Sequence, residues 1–313
     1  MLVAIGLVMT VAACGAEPTP STPAAAAPTT TAEREQPDHE QTVTVDGVER
    51  SFVVHTPAAS PAGDRLPVVI VLHGGGADAR AAMAQTGMSE LADRAGFLAV
   101  YPQGNARFGG TQLTWNAGAC CGYAVDQQVD DIAFLATVID QVVRDHQGDP
   151  DRVYVTGFSN GGMLAYRAGC ELTDRIAAIA PVAGSLVGVD CRPSAPLSVL
   201  IFHGTADQQI PYEGGESPAR GDTHPRLDPP VADTTAFWAA HNRCSAPTTE
   251  QVNPNTTLQR HGCPDGVEIG LYTIDGGGHD WPGGPSTRGG ANPETLVASP
   301  LIWDFFQQHT RTT

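Results

Sequence analysis

The chain contains no lysine, so all of its basic side chains are arginines. Its 313 residues include 17 basic and 34 acidic side chains, which gives a formal net charge of -17 at pH 7. Nucleic acids and anionic membrane surfaces are themselves negative and would repel such a protein. The charge balance therefore argues against either partner. The missing lysine itself fits a compositional bias of the source genome, and we attach no function to it.

Zinc-binding patterns are also missing. The sequence has no pair of CxxC motifs and no HExxH segment, which are spacings typical of zinc sites. We therefore expect no metal ion, and nothing in the sequence predicts an organic cofactor.

The N-terminal apolar run, residues 1–14, is too short to span a bilayer. It ends in "VAAC", which resembles the lipobox of bacterial lipoproteins and predicts lipidation at Cys14. The alternative is an ordinary cleaved signal peptide with Cys14 near its cut site. Residues 15–40, rich in Pro, Ala and Thr, predict a disordered tether. We expect an extracellular or cell-envelope protein of a bacterium, touching the membrane only through a lipid anchor at Cys14.

Seven cysteines are present, and removing Cys14 leaves an even number. In an exported protein this indicates disulfides, although the connectivity does not follow from sequence. Cys120 and Cys121 are adjacent, so they form either a vicinal bridge or bonds to other cysteines. We expect two further disulfides, each closing a short excursion of the chain: Cys170–Cys191 and Cys244–Cys263.

Short apolar stretches alternate with helical patterns along the chain. "LPVVIVLHG" is typical of a buried strand and "VDDIAFLATVIDQVVRDH" of an amphipathic helix, and residues 79–96 predict one helix closed by glycine. The alternation predicts an α/β domain over residues 41–313, with a mostly parallel sheet covered by helices on both faces. At its start, "QTVTVDGVERSFVVHTP" predicts an antiparallel hairpin.

Two long segments, residues 106–128 and 213–230, are rich in glycine and proline and follow predicted strands. In parallel sheets, such loops lie at the carboxyl edge, where ligands bind. We therefore expect the functional site at this edge.

Ser159 lies in the G-x-S-x-G pattern of "VYVTGFSNGGM", between a strand pattern and a helix pattern. In this context the glycines allow a tight turn that lifts a nucleophilic hydroxyl clear of the sheet. The helix that follows offers backbone N–H groups to a developing oxyanion. The alternative is a glycine-rich turn in which the serine only caps the helix.

A serine nucleophile needs a base oriented by a carboxylate, and hydrolases with this turn carry them in the order Ser, Asp or Glu, His. Asp207 follows the apolar strand "LIFHG", and His279 stands among glycines in "DGGGHDWPGG". We predict Asp207 as the orienting acid, although an ordinary turn residue is the alternative. We predict His279 as the base. The competing histidines, His73 and His203, end apolar strands, where a structural role is more common.

Two backbone amides are needed to bind the oxyanion. We predict the amide of Asn160, directly after the nucleophile, and that of Gly75 in "LHGGGAD", with Gly74 as the alternative. Trp115 and Trp281 are candidates for stacking on a substrate at the cleft rim, with packing of their loops as the equal alternative.

The assembled motifs resemble the polyhydroxybutyrate depolymerase-like secreted esterases of carbohydrate esterase family 1, which include feruloyl and acetyl xylan esterases. The segments that carry the resemblance are "LHGGGAD", "YPQG", "WNAGACCG", "VDDIAFL", "VYVTGFSNGGMLAYRAGCEL", "IAAIAPVAGS", "HGTADQQIPYEGG" and "GGGHDWPGG". The resemblance implies the α/β-hydrolase fold, a triad at Ser159, Asp207 and His279, and an oxyanion donor at Gly75.

The expected activity is therefore serine-dependent hydrolysis of carboxylic esters through an acyl-enzyme. The expected substrates are short hydroxyalkanoate oligomers or feruloyl and acetyl esters of plant polysaccharides. Extracellular depolymerases of solid polymer usually add a substrate-binding domain after the catalytic one, and this sequence shows none, which favours soluble esters. Two alternatives stay open: a cell-envelope acyltransferase on the same fold, and a non-catalytic surface-binding protein. The sequence leaves the oligomeric state undetermined.

Overall fold

The computed structural model describes residues 38–58, 63–108, 110–217, 225–285 and 296–311, with a few positions before residue 38. Judged by the contacts between its residues, the chain consists of two compact units, Met1–Glu35 and Gln36–Thr313. Cys14, most of the predicted signal peptide and most of the predicted tether lie outside the described residues. The first strand begins at Asp38, slightly before the predicted domain start at residue 41.

Strands and helices alternate over most of the described residues. The strands are β1 (Asp38–Val45), β2 (Val48–His55), β3 (Leu66–Leu72), β4 (Leu98–Pro102), β5 (Gly148–Phe158), β6 (Ala178–Val182), β7 (Ser198–Gly204), β8 (Gly215–Glu216), β9 (Leu227–Asp228), β10 (Thr248–Asn253), β11 (Thr256–Gly262) and β12 (Glu268–Ile274). The helices are α1 (Ala79–Thr86), α2 (Met88–Ala95), α3 (Gly122–Asp126), α4 (Asp131–Asp145), α5 (Asn160–Glu171), α6 (Val231–His241) and α7 (Ala298–Phe306). Within these ranges, no helix is long and apolar enough to cross a membrane.

Ten of the described strands form one sheet in the order β1-β2-β4-β3-β5-β6-β7-β12-β11-β10. The central strands, from β4 to β12, all run parallel. β1 and β2 form an antiparallel hairpin at one end. The predicted mostly parallel sheet and N-terminal hairpin are therefore confirmed.

Alternate residues of the central strands face two separate cores, as expected for strands buried on both faces. In β3, Val68 and Ile70 belong to one core, which also contains side chains of α4, α5 and α6. Val69 and Val71 belong to the other core, together with side chains of α1, α2 and α7. Each such side chain contributes about 1.5–3 kcal/mol by leaving water. The prediction of helices on both faces is confirmed.

One local prediction is wrong, and one pair of strands was missed. Residues 79–96 form two helices instead of one, because Gly87 adopts a left-handed conformation (φ +59°) and its N–H donates back to the Met83 carbonyl, which ends α1. The antiparallel strands β10 and β11 were not predicted. The residues of β10 are almost all exposed, so the segment lacks the apolar alternation that identifies a half-buried strand.

Candidate active site

Ser159 stands at the turn between β5 and α5, in a strained conformation with φ +55° and ψ -119°. The flanking glycines permit this turn. A Cβ atom on Gly157 would lie 2.6 Å from the carbonyl of Gly161, and one on Gly161 would overlap the carbonyl of Leu72. The side chain of Ser159 makes no capping hydrogen bond to α5. The helix-capping alternative is therefore wrong, and the hydroxyl faces the carboxyl edge of the sheet.

A chain of hydrogen bonds joins the three predicted catalytic side chains. Nε2 of His279 lies 2.8 Å from Oγ of Ser159, and Nδ1 of His279 lies 2.7 Å from Oδ2 of Asp207. A carboxylate only accepts, so the Nδ1–H of His279 donates to it and Nε2 is left as an acceptor for the serine hydroxyl. β5, β7 and β12, which precede these residues, run parallel and end at the same edge.

Asp207 is buried but extensively hydrogen-bonded. Its Oδ1 accepts the backbone N–H groups of Gln209 (2.8 Å) and Ile210 (2.9 Å). Burial by itself raises the pKa of the carboxyl group, but hydrogen bonds from His203 and His279 outweigh it, and the pKa lies well below its usual range. Asp207 is therefore ionised at neutral pH, as a residue that orients a histidine must be.

The two competing histidines are buried in structural positions. The N–H of Gly104 donates to Nε2 of His73 (3.0 Å), so Nδ1 carries the proton and donates to the carbonyl of Gly74 (2.8 Å). Burial lowers the pKa of His73 to about 4, which keeps the ring neutral. His203 donates through Nε2 to the carbonyl of Ile210 (2.8 Å). Among the described residues, neither ring shares a hydrogen bond with Ser159.

The predicted oxyanion amides lie on the same cavity as the serine. Gly75 and Asn160 line it beside Ser159, and neither backbone N–H has a hydrogen-bond partner among the described residues. A Cβ atom on Gly75 would lie 3.6 Å from that of Asn160, so the two backbones approach closely. Gly74, the alternative donor, packs against Phe158, where a Cβ atom would lie at 3.0 Å. The geometry favours Gly75.

The cavity has a volume of about 470 Å³, within the range of small-molecule sites. Some of its lining residues were not identified from the sequence. They come from the two long loops, which were expected at this edge, from α5 and from the turn after β7: Arg107, Phe108, Tyr123, Met163, Ile210 and Arg226. Phe108 is 78% exposed at the rim. Arg226 is held by Asp228, whose Oδ1 accepts from its Nε at 3.0 Å.

Of the two alternatives for Trp115 and Trp281, the structure shows packing within the protein, and stacking on a substrate is wrong. Trp115 is 0% exposed and Trp281 is 1% exposed. Each ring is buried in a core, and each indole N–H has a partner inside the protein: the carbonyl of His73 (2.9 Å) and Oγ of Ser299 (3.0 Å), respectively. Burial of a large ring with its N–H satisfied is favourable, and it leaves no aromatic face for a ligand.

The structure brings three cysteine pairs to disulfide-bonding distance. Two are the pairs expected from the sequence, Cys170–Cys191 and Cys244–Cys263. In the third, Cys120 pairs with its neighbour Cys121, which selects the vicinal alternative. Both residues of this pair line the cavity.

Acidic residues at the start of α4 have structural partners. Asp130 caps the helix by accepting the N–H of Ala133 (2.9 Å), and Asp131 forms a buried ion pair with Arg50 (2.8 Å). Within the described ranges, no cluster of three or more His, Cys, Asp or Glu side chains suited to a metal ion occurs.

The fold is the α/β-hydrolase fold, which the chain shares with solved esterases. An acetyl xylan esterase from Aspergillus awamori superposes with a TM-score of 0.60 over 86% of this chain and 99% of its own, at 14% identity. A thermostable esterase superposes with a TM-score of 0.55 over 88% of this chain and 63% of its own, at 15% identity. These likenesses establish the fold.

The chain belongs to the esterase PHB depolymerase family, whose model matches residues 50–210. NocK of Nocardia uniformis subsp. tsuyamanensis, an esterase by name, is 32% identical across 90% of this chain and 89% of its own length. Feruloyl esterase B of Piromyces equi is 32% identical across 74% of this chain, which spans only 42% of that longer protein. The predicted family is confirmed.

Proposed function

We propose that this esterase is an exported serine hydrolase that cleaves carboxylic esters through an acyl-enzyme. The observation that carries the proposal is the continuous chain of hydrogen bonds from Asp207 through His279 to Ser159. A serine hydroxyl is a weak nucleophile until a base accepts its proton, and His279 is oriented for that task.

In the first half of the reaction, Oγ of Ser159 attacks the ester carbonyl while its proton passes to Nε2 of His279. The amides of Gly75 and Asn160 donate to the oxyanion of the tetrahedral intermediate, beside the positive end of the α5 dipole. The intermediate collapses by breaking the bond to the alcohol oxygen. That oxygen takes the proton from His279, and the alcohol leaves.

In the second half, a water molecule gives a proton to His279 and attacks the acyl-enzyme carbonyl. The C–O bond to Ser159 breaks, Oγ takes the proton back, and the free acid leaves. Asp207 stays ionised throughout and stabilises the imidazolium that forms in each half.

Short hydroxyalkanoate oligomers and feruloyl or acetyl polysaccharide esters are the proposed substrates. The cavity of about 470 Å³ beside Ser159 is in the size range of small-molecule sites, which suits the cleavable end of such an ester. Feruloyl esterase B and a bifunctional acetylxylan esterase/xylanase from Neocallimastix patriciarum are relatives by sequence. A poly(3-hydroxyalkanoate) depolymerase from Paucimonas lemoignei is a further relative, at 26% identity.

Export is proposed from the sequence. The signal-like residues 1–14 and three cysteine pairs at disulfide distance are both typical of proteins that leave the cytosol. Lipidation of Cys14 remains part of this proposal, and mass spectrometry of the membrane fraction tests it.

The test of the activity is turnover of p-nitrophenyl acetate and butyrate by the wild type and by Ser159→Ala. We expect turnover by the wild type and loss of it in the variant. Equal inactivity of both proteins would contradict the proposal. Rates on methyl ferulate, acetylated xylan and 3-hydroxybutyrate oligomers then rank the substrates, and new sugar ester formed in preference to free acid would instead identify an acyltransferase.

A further inference from the structure

Trp115 and Asn160 are joined by a pair of buried hydrogen bonds. The backbone N–H of Trp115 donates to Oδ1 of Asn160 (2.8 Å), and Nδ2 of Asn160 donates to the carbonyl of Trp115 (3.1 Å). The side chain of Asn160 is therefore held at two points by the backbone of another loop. Its own backbone amide is one of the two proposed oxyanion donors.

The indole of Trp115 contacts the other half of the oxyanion site. Its Nε1–H donates to the carbonyl of His73 (2.9 Å), and the rings of Trp115 and His73 lie 4.7 Å apart. His73 directly precedes Gly74, whose carbonyl accepts from its ring. The next residue is Gly75, the second proposed donor, so Trp115 contacts the chain on both sides of the oxyanion site.

The loop that carries Trp115 is held by further backbone hydrogen bonds. The N–H of Gly76 donates to the carbonyl of Leu113 (2.8 Å), which ties the loop to the β3–α1 turn. The N–H of Cys121 donates to the carbonyl of Trp115 (2.9 Å), so that oxygen accepts from two donors. Trp115, Asn160 and His73 are all buried, and hydrogen bonds shielded from water are costly to break.

Resting on the proposed function, we propose that Trp115 is a positioning residue that sets the spacing between the two oxyanion donors. Gly75 follows β3 and Asn160 follows β5, and a run of glycines has little stiffness of its own. Two amides stabilise an oxyanion only when both are aimed before the charge develops. Trp115 supplies the link: its backbone holds Asn160 and its indole holds the residue before the glycine run.

The test compares Trp115→Phe with Trp238→Phe. Both tryptophans are fully buried in the same core, so the two changes remove a similar volume. The indole N–H of Trp238 has no partner among the described residues, so only Trp115→Phe loses a hydrogen bond. The measurements are kcat and KM for p-nitrophenyl butyrate, and the inhibition constant of a pentyl trifluoromethyl ketone, whose adduct with serine carries an oxyanion.

For Trp115→Phe we expect kcat and kcat/KM to fall together by about tenfold with KM changed less than about twofold, since only transition-state stabilisation is lost. The ketone should bind more weakly by the same factor. Trp238→Phe should change kcat, kcat/KM and the inhibition constant by less than about twofold, even if it lowers the melting temperature as much as Trp115→Phe does. If the role of Trp115 were purely structural, Trp115→Phe would lower the melting temperature without lowering kcat or the affinity for the ketone more than Trp238→Phe does.

A second variant, Asn160→Ala, covers the case in which Trp115→Phe fails to fold. It keeps the backbone amide but removes both bonds to Trp115, and it should show the same joint loss of kcat and ketone affinity. The inference is overturned if the wild type hydrolyses ester and binds the ketone while the folded variants at Trp115 and Asn160 match Trp238→Phe. A wild type that does neither overturns the proposed function, and the inference with it.

Discussion

His203 and His279 approach the same oxygen of Asp207 from two sides. Nδ1 of His279 lies 2.7 Å from Oδ2, and Nε2 of His203 lies 3.4 Å from it. His203 makes its shorter bond, at 2.8 Å, to the carbonyl of Ile210 in the same loop. The carboxylate is thus held by a second histidine that, among the described residues, shares no hydrogen bond with Ser159, and the two histidines should respond differently to substitution.

The first prediction concerns this difference. His279→Phe removes the base and should lower kcat by about a thousandfold or more while leaving the fold intact. His203→Phe leaves the base in place but removes the donor to the buried carbonyl of Ile210, which should cost about 1–3 kcal/mol of unfolding free energy and about tenfold in kcat. Kinetics and urea unfolding of the two variants measure both effects. The reverse ranking in kcat would assign the base to His203.

The second prediction concerns Asp207→Asn. The amide would donate to Nδ1 of His279 and force the proton onto Nε2, which then cannot accept from Ser159. By analogy with other triads we expect kcat to fall about ten-thousandfold with little change in melting temperature. Asp275→Asn, on an exposed aspartate just after β12 that accepts from Thr205, serves as the matched control. A loss below about tenfold would exclude Asp207 as the orienting acid.

The third prediction concerns acid stability and His73. Its pKa is lowered by burial from 6.5 to about 4, so between these values the unfolded chain binds more protons than the folded one. The free energy of unfolding should therefore fall as the pH drops from about 6.5 to about 4, by about 3 kcal/mol from this residue.

Unfolding in urea at several pH values measures the slope. His73→Gln should flatten it in that window, because the variant has no group to titrate. His241→Gln, which changes a surface histidine on α6, controls for the loss of one ionisable side chain. An unchanged slope in His73→Gln would mean that His73 is not held neutral by the fold.

The fourth prediction separates the cysteine pairs. Cys170–Cys191 spans a sequence separation of 21 and Cys244–Cys263 one of 19, so replacing either pair with serines should cost about 3 kcal/mol by freeing the unfolded chain. Replacing Cys120 and Cys121 opens almost no loop and should cost about 1 kcal/mol. Because this pair lines the cavity, its replacement should affect kcat/KM more strongly, expressed as a free energy, than it affects the free energy of unfolding. Equal stability losses for all three would contradict the loop-closure account.

The fold could be predicted from the sequence because the residue patterns that indicate its strands and turns are local. A fully apolar stretch such as Leu66–Leu72 has few stable places outside a sheet covered on both faces. The G-x-S-x-G turn was equally readable, since only glycine fits against the carbonyls that surround positions 157 and 161. β10 escaped prediction for the opposite reason: its exposed side chains leave no apolar period to detect.

What the sequence determined by itself is the order of Ser159, Asp207 and His279 at the ends of parallel strands, because connectivity brings such ends to one edge. Tertiary structure alone decided where the side chains of the long loops point. The ring of Trp115 is buried in the core instead of lying at the cleft rim. Arg226 lines the cavity, where it is paired with Asp228. A glycine-rich loop has no period that assigns its residues to a face, so the direction of each side chain depends on contacts with distant parts of the chain.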